Sequence, residues 1–171
     1  MKLYTILARL LDYPTPELLE NLSTISTAID QEPQITTSER DTINEFMSWL
    51  QLHDQTGVQQ IYVQTFDMVP EHDMHMTHHI HGDSRDRGPA LIDLTEHFKA
   101  NGLEVKNGEI PDYLPLLLEY VSTLGEDECR FFLADVGKIL DILAENLEKA
   151  ESPYSKLIRL VESRGELVKA A

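Results

Sequence analysis

Apolar residues recur at the three- and four-residue spacing of an α-helix through most of this chain. In the first segment Leu3, Leu7 and Leu10 share one face of a helix. Pro14 cannot continue that helix and ends it. The same periodicity, bounded by proline, glycine and short polar stretches, predicts the other helices. The predicted helices cover about residues 2–12, 15–29, 38–50, 58–66, 89–101, 111–124, 132–147 and 152–161.

Proline and glycine positions predict where several of these helices begin and end. Pro89 and Pro115 are expected in the first turn of a helix, where an amide has no helical acceptor in any case. Gly102 and Gly125 are expected to follow helix ends, Gly102 in the left-handed conformation. Residues 68–84 form the longest stretch without periodicity, and sustained alternation typical of strands is absent. We therefore predict an all-α fold of about seven to nine helices.

Length and charge narrow the function classes. The chain has 171 residues, enough for one domain with a sizeable core, so we expect residues 1–171 to form a single helical domain. Thirty acidic residues against fourteen basic ones give a formal net charge of −16. This charge repels nucleic acid and anionic lipid, and it attracts basic polypeptide segments. The alternative interpretation is that the acidic surface only keeps the protein soluble.

Cysteine content and the absence of long apolar runs indicate the compartment. Cys129 is the single cysteine, so no intramolecular disulfide is available. The sequence shows neither a signal peptide nor a run of apolar residues long enough to span a membrane. We therefore expect a cytoplasmic protein without direct membrane insertion.

Histidines are concentrated in one short segment and raise the hypothesis of a metal site. The histidines of this segment are His72, His75, His78, His79 and His81. On a helix, His75 would share a face with His79, and His78 with His81. The spacing matches no zinc signature, however, and no nucleophile motif, phosphate loop or enclosed carboxylate pair accompanies it. We therefore predict no metal ligand, no catalytic residue and no enzyme.

Charges of alternating sign lie immediately before the predicted helix at 89–101. These are Asp83, Arg85, Asp86 and Arg87. Carboxylates suit the positive end of a helix, and arginines form forked ion pairs with them. The segment is therefore either a helix entrance stabilised by local ion pairs or a partner-binding element.

Four segments together are characteristic of a known family. They are LARLLDYP at 7–14, YVQTFD at 62–67, HHIHGDSRDRGPALIDL at 78–94 and EIPDYLPLLLEYVSTL at 109–124. In these segments the chain resembles the NarJ-type chaperones, which assemble membrane-bound nitrate reductase. The resemblance covers most of residues 3–160 and extends to the all-helical TorD and DmsD group.

The resemblance implies a non-catalytic cytoplasmic chaperone. Its expected partner is the apo catalytic (alpha) subunit of a nitrate-reductase-type molybdoenzyme, bound through the N-terminal segment of that subunit. Binding is expected to assist molybdenum cofactor insertion and to delay membrane docking. The molybdenum cofactor belongs to the client, and we expect no stably bound cofactor in the chaperone itself.

The resemblance also implies which residues bind the client peptide. The implied set is Tyr62, Phe66, Asp67, Pro111, Asp112, Tyr113, Leu114 and Pro115. Glu119 and the acidic surface favour basic residues of the client, while an apolar groove between helices takes its hydrophobic face. A second signature, with an expected structural role, consists of His79, His81, Gly82, Arg85, Asp86, Arg87 and Gly88.

Alternatives remain for the site residues, for the client and for the class of function. Tyr62 and Phe66 either contact the client or pack in the core, and Asp112 either binds the client or caps a helix. The client is a nitrate reductase or, for a chaperone of the same fold, another molybdoenzyme. The third alternative is a helical protein that binds metal through the histidines at 72–81.

Overall fold

A computed structural model describes residues 2–166 of the chain. Within this range the main chain forms eleven α-helices. They are α1 (Lys2–Leu11), α2 (Pro16–Glu20), α3 (Leu22–Asp30), α4 (Thr37–Gln51), α5 (Gln55–Tyr62), α6 (Met76–His81), α7 (Arg87–Ala100), α8 (Leu114–Ser122), α9 (Glu126–Asp135), α10 (Gly137–Lys149) and α11 (Ser155–Glu166). A π-helical turn, Val63–Asp67, continues α5, and a 3₁₀ turn spans Pro70–His72.

The all-α prediction is confirmed. Residues 2–166 contain no β-strand, only an isolated antiparallel bridge between His75 and Tyr113. The eleven α-helices exceed the predicted number of about seven to nine. Two predicted helices are each divided into two, and α6 forms inside the segment 68–84 that was predicted to be irregular throughout.

Both divisions lie where the apolar pattern continues without interruption. Asn21 separates α2 from α3, with φ −100° and ψ 9°, and its side-chain amide donates to the Glu17 carbonyl at 2.8 Å. A short polar side chain competes here with the helical hydrogen bonds of the backbone. Val136 separates α9 from α10, with φ −92° and ψ 0°. Hydrophobic periodicity does not indicate where the main chain departs locally from helical geometry.

The predicted helix boundaries are partly confirmed. Pro89 and Pro115 lie in the first turns of α7 and α8, and Gly102 follows α7 with a φ of +77°. The predicted start of α8 at Pro111 is wrong, because a turn precedes the helix and Tyr113 is its N-cap. Gly125 does not end α8 but is the N-cap of α9.

The core forms where α8 packs against α1 and where α11 packs against α9, α10 and α4. Leu7, Leu118, Leu143 and Leu157 from these helices are all fully buried. Each leucine side chain removed from water stabilises the fold by about 1.5–3 kcal/mol. The pairing of α8 with α1 holds the start of α8 close to the C-terminal end of α1.

Candidate functional site

A groove of about 480 Å³ opens where the end of α1, the π-helical turn and the start of α8 meet. Its volume lies within the range of about 300–1,000 Å³ that is typical of ligand sites. Residues 73–75 and 108–110 complete its walls. The lining residues are Asp12, Tyr13, Tyr62, Phe66, Asp67, Asp73, Met74, His75, Gly108, Glu109, Ile110, Tyr113, Pro115, Leu116 and Glu119.

The floor of the groove is aromatic. The rings of Tyr62 and Phe66 lie 4.8 Å apart, and both side chains are buried. Tyr13 packs edge-on against Tyr62 at 5.5 Å and remains 42% exposed. The π-helical turn is closed by a hydrogen bond of 3.2 Å from the Met68 N–H to the Val63 carbonyl. Such turns are frequent at functional sites. Tyr62 and Phe66 thus pack in the core and also line the groove.

A hydrogen-bonded chain of hydroxyl groups connects two sides of the groove. The Tyr62 Oη lies 2.6 Å from the Tyr113 Oη and 3.2 Å from the Leu11 carbonyl oxygen. The Tyr113 Oη also lies 3.1 Å from the Asp12 carboxylate. Burial and the charge of Asp12 raise the pKa of Tyr113, and burial likewise raises the pKa of Tyr62. Both hydroxyls therefore keep their protons at neutral pH.

Carboxylates surround the aromatic floor. They are Asp12, Asp67, Asp73, Glu109 and Glu119. Neither lysine nor arginine is among the residues that line the groove. Acidic walls around an apolar floor suit a ligand that carries both positive charge and an apolar face.

Asp73 organises the histidines at one wall. Its two carboxylate oxygens lie 2.7 Å from the His75 Nδ1 and 2.8 Å from the His78 Nδ1. Burial of Asp73 raises the pKa of its carboxyl group. Hydrogen bonds from His75 and the charges of His75 and His78 outweigh this effect and lower the pKa to about 2. The His75 ring also packs against the Tyr113 ring, with centroids 5.1 Å apart.

Asp112 does not reach the groove. Its side chain is fully buried, and its Oδ2 accepts hydrogen bonds from the Thr77 N–H at 2.8 Å and the Thr77 hydroxyl at 2.5 Å. The predicted direct contact of Asp112 with a client is inconsistent with this burial. It also does not cap α8, whose N-cap is Tyr113. Instead it satisfies an amide in the first turn of α6, on a different helix.

The remaining predicted residues separate into two groups. Tyr62, Phe66, Asp67, Tyr113, Pro115 and Glu119 line the groove. Pro111 and Leu114 are buried beside it and, like Asp112, are not among its lining residues.

The second signature lies at the junction of α6 and α7, outside the set of groove-lining residues. His79 bonds through its Nε2 to the Asp73 carbonyl at 2.5 Å, and Gly82 follows α6 with a φ of +53°. Arg87 donates from its Nε to the Thr77 hydroxyl at 3.0 Å. Arg85 and Asp86 are exposed, whereas His81 is half-buried. Gly88 lies in the first turn of α7.

The histidine segment does not assemble as a metal site. Within residues 2–166, no group of three or more histidine, cysteine, aspartate or glutamate side chains is arranged to hold an ion. His72 instead bonds through its Nδ1 to the Thr65 carbonyl at 2.9 Å and is buried. The His72 ring is thereby bonded to the main chain of the π-helical turn.

Sequence reasoning missed several groove residues. Asp12 and Tyr13 belong to the LARLLDYP segment that carried part of the resemblance, so that segment contained a usable signal. Ile110 belongs to the segment at 109–124, which also carried part of the resemblance. Asp73 and His75 lie outside all four segments, and only the tertiary structure brings them to the groove.

Comparison with known proteins identifies the family. The profile of the family described as nitrate reductase delta subunit matches residues 32–158. The nitrate reductase molybdenum cofactor assembly chaperone NarJ of Escherichia coli (strain K12) is 33% identical over 156 residues, which cover 91% of this chain and 66% of that protein. A probable chaperone of the same name in Bacillus subtilis (strain 168) is 28% identical over 160 residues, covering 92% and 85%.

A further relative matches a shorter region. The probable nitrate reductase molybdenum cofactor assembly chaperone NarW of Escherichia coli (strain K12) is 38% identical over 96 residues, covering 56% of this chain and 42% of that protein. None of the described helices combines the length and apolar character needed to cross a membrane. The family profile extends over most of the sequence and confirms the resemblance: this chain belongs to the nitrate reductase delta subunit family.

Proposed function

We propose that this chain is a cytoplasmic, non-catalytic assembly chaperone for a molybdenum-containing nitrate reductase. The relatives that match it bear that name, and they are chaperones rather than enzymes. The chain spans 66% of the length of the Escherichia coli relative. We therefore propose its client and its action, and do not transfer them from that relative. We further propose that residues 1–171 act as one helical domain.

We propose that the groove binds the N-terminal segment of the apo catalytic subunit. The observation that carries this proposal is the combination of an aromatic floor, formed with Tyr62 and Phe66, and carboxylate walls. A helical peptide can place its apolar face on the floor and its basic side chains among the carboxylates. Tyr113, Pro115 and Glu119 extend this surface along α8, while the buried residues Pro111, Asp112 and Leu114 lie beside it.

The proposed action follows from binding of that N-terminal segment in the groove. While the groove holds the N-terminus of the client, this segment cannot take part in docking at the membrane. The catalytic subunit can then receive its molybdenum cofactor, which remains with the client and needs no stable site in the chaperone. Molybdenum content of the catalytic subunit, purified from cells with and without this chain, tests this step, and equal content contradicts it.

The binding test is calorimetric titration of the full chain with the N-terminal peptide of the nitrate reductase catalytic subunit from the same organism. Two exposed groove carboxylates are neutralised together in the variant Asp67→Asn with Glu119→Gln. We expect about tenfold weaker binding, because loss of two nearby charges removes about 1–2 kcal/mol of attraction.

The matched control neutralises two carboxylates that do not line the groove, Asp93 and Glu145, by Asp93→Asn with Glu145→Gln. Both double variants change the net charge equally, so only a local effect separates them. Absence of binding by the unmodified chain, or equal weakening in both variants, contradicts the proposed site. Titration with the corresponding peptide of another molybdoenzyme tests the identity of the client.

A further inference from the structure

The two sequence signatures of this chain meet at one buried carboxylate. Asp112, from the signature that begins α8, accepts both hydrogen bonds of Thr77 through its Oδ2. Arg87, from the signature at the start of α7, donates to the same Thr77 hydroxyl, and its Nη2 lies 3.8 Å from the Asp112 Oδ2. Three separate elements, α6, α7 and the turn before α8, are thereby connected through side chains.

The main chain reinforces this connection on the groove side. The Met76 N–H donates to the Asp112 carbonyl at 3.0 Å, and the Leu114 N–H donates to the Met74 carbonyl at 2.9 Å. These bonds form the bridge between His75 and Tyr113, whose rings also pack together. His75 and Tyr113 line the groove from opposite sides of the bridge.

Capping of α6 does not by itself explain why residue 112 is an aspartate. Capping of the Thr77 amide requires one acceptor oxygen, which asparagine or serine also supplies. The second oxygen, Oδ1, is buried and has no hydrogen-bond partner within the part of the chain that the structure describes. An unpaired buried oxygen costs free energy, so the carboxylate is not the most stable choice for capping. The guanidinium of Arg87, whose Nη2 lies 3.8 Å from the Asp112 Oδ2, gives the carboxylate a charged neighbour that a neutral capping residue would not use.

We infer that Arg87, Thr77 and Asp112 form a clamp that positions the groove wall of His75 and Tyr113 for the client. The inference rests on the proposed function of the groove and assigns a role to the second signature. None of the three clamp residues lines the groove, so each is a positioning residue. Their effect on the client is indirect: a wall held in its binding geometry loses less conformational freedom when the client binds.

Replacement of the charged Arg87 distinguishes the clamp from a purely electrostatic effect on binding. Replacement of Arg87 by methionine makes an already acidic protein more negative. Long-range attraction alone then predicts equal or tighter binding of a basic peptide. Loss of the clamp predicts weaker binding instead. The two explanations therefore predict opposite changes in the peptide affinity of Arg87→Met.

The experiment compares Arg87→Met and Thr77→Val with Arg85→Met in the full chain. Arg85 belongs to the same signature and carries the same charge, but its side chain is exposed. For Arg87→Met and Thr77→Val we expect about tenfold weaker binding of the N-terminal peptide. We also expect faster hydrogen exchange at the Leu114 amide, which donates across the bridge. Arg85→Met should change neither quantity.

A second control separates positioning from general loss of stability. Arg164→Lys weakens a buried ion pair with Glu39 between α11 and α4, away from the residues that line the groove. It should lower the unfolding midpoint and leave peptide affinity and Leu114 exchange unchanged below that midpoint. If Arg164→Lys weakens binding as much as Arg87→Met does, the clamp has no specific role.

The outcomes distinguish this inference from the proposed function. If the unmodified chain binds the peptide and Arg87→Met binds it equally well or more tightly, the clamp is overturned and the groove stands. If the unmodified chain does not bind the peptide, the proposed function falls. In that case unchanged Leu114 exchange in the clamp variants overturns the clamp as well, and faster exchange supports it as a feature of the fold.

Discussion

The hydroxyl of Tyr113 offers a direct test of how the groove is held together. Tyr113→Phe removes the oxygen that lies 2.6 Å from the Tyr62 Oη and 3.1 Å from the Asp12 carboxylate. Tyr62 keeps its bond to the Leu11 carbonyl at 3.2 Å, so its hydroxyl is not left unpaired. Asp12 keeps a bond of 2.8 Å from the Tyr13 N–H. The substitution therefore removes two interactions without leaving a buried polar group without a partner.

The expected loss follows from these contacts. A neutral hydrogen bond contributes about 0.5–1.5 kcal/mol, and one to a charged group about 1.5–3 kcal/mol. The Asp12 bond is at the exposed side of the network, where water competes for the carboxylate, so its contribution lies near the lower limit. The hydroxyls of Tyr62 and Tyr113 have two protons for three contacts, so these contacts cannot all be full hydrogen bonds at once. We therefore expect a total loss of about 1–2 kcal/mol in the free energy of unfolding.

The assay is urea denaturation followed by circular dichroism. With a denaturant dependence of about 2 kcal/mol per molar, the loss lowers the unfolding midpoint by about 0.5–1 M. Tyr13→Phe is the control, because Tyr13 is 42% exposed at the groove rim. Its midpoint should not change. An unchanged midpoint in Tyr113→Phe, or an equal decrease in both variants, refutes the hydroxyl network.

Three further predictions concern packing, pH and the buried ion pair. Gly165→Ala should lower the free energy of unfolding, because its Cβ would lie 2.7 Å from the Leu133 carbonyl carbon. Overpacking costs about 1–3 kcal/mol, and this outweighs the gain of about 1 kcal/mol in helix propensity. Asp73→Asn should cost about 2 kcal/mol above about pH 4, a difference that disappears toward pH 2. The depressed pKa of Asp73, about 2 against an ordinary 3.8, gives stability that is lost as pH falls through this range. Arg164→Met should cost about 1.5–3 kcal/mol, because the half-buried carboxylate of Glu39 loses its charged partner and keeps only the bonds from Thr36.

Each of these has a measurement that decides it. For Gly165→Ala, a rise in the urea midpoint would show that α11 moves away from α9 without cost. For Asp73→Asn, acid titration of the unfolding free energy should show convergence with the unmodified chain, and a constant difference down to pH 2 would exclude the linkage. Thermal unfolding of Arg164→Met within about 2 °C of the unmodified chain would mean that the pair contributes little.

Local sequence signals determined the class of fold and many helix boundaries. Periodic apolar residues predicted the helices, and the fixed backbone angle of proline placed Pro89 and Pro115 in first turns. These signals act over a few residues. They did not predict the breaks at Asn21 and Val136, where apolar periodicity continues, or the late start of α8 at Leu114.

The tertiary structure alone decided which residues form the groove and which support it. Tyr113 bonds to Asp12 across 101 residues of sequence, and Asp112 bonds to Thr77 across 35. The sequence by itself determined an acidic all-α chain of a recognisable family and named six of the groove residues. It could not show that Asp112 faces inward while its neighbour Tyr113 faces the groove. Burial and hydrogen-bond partners depend on contacts between distant segments, and no local pattern of residue types contains them.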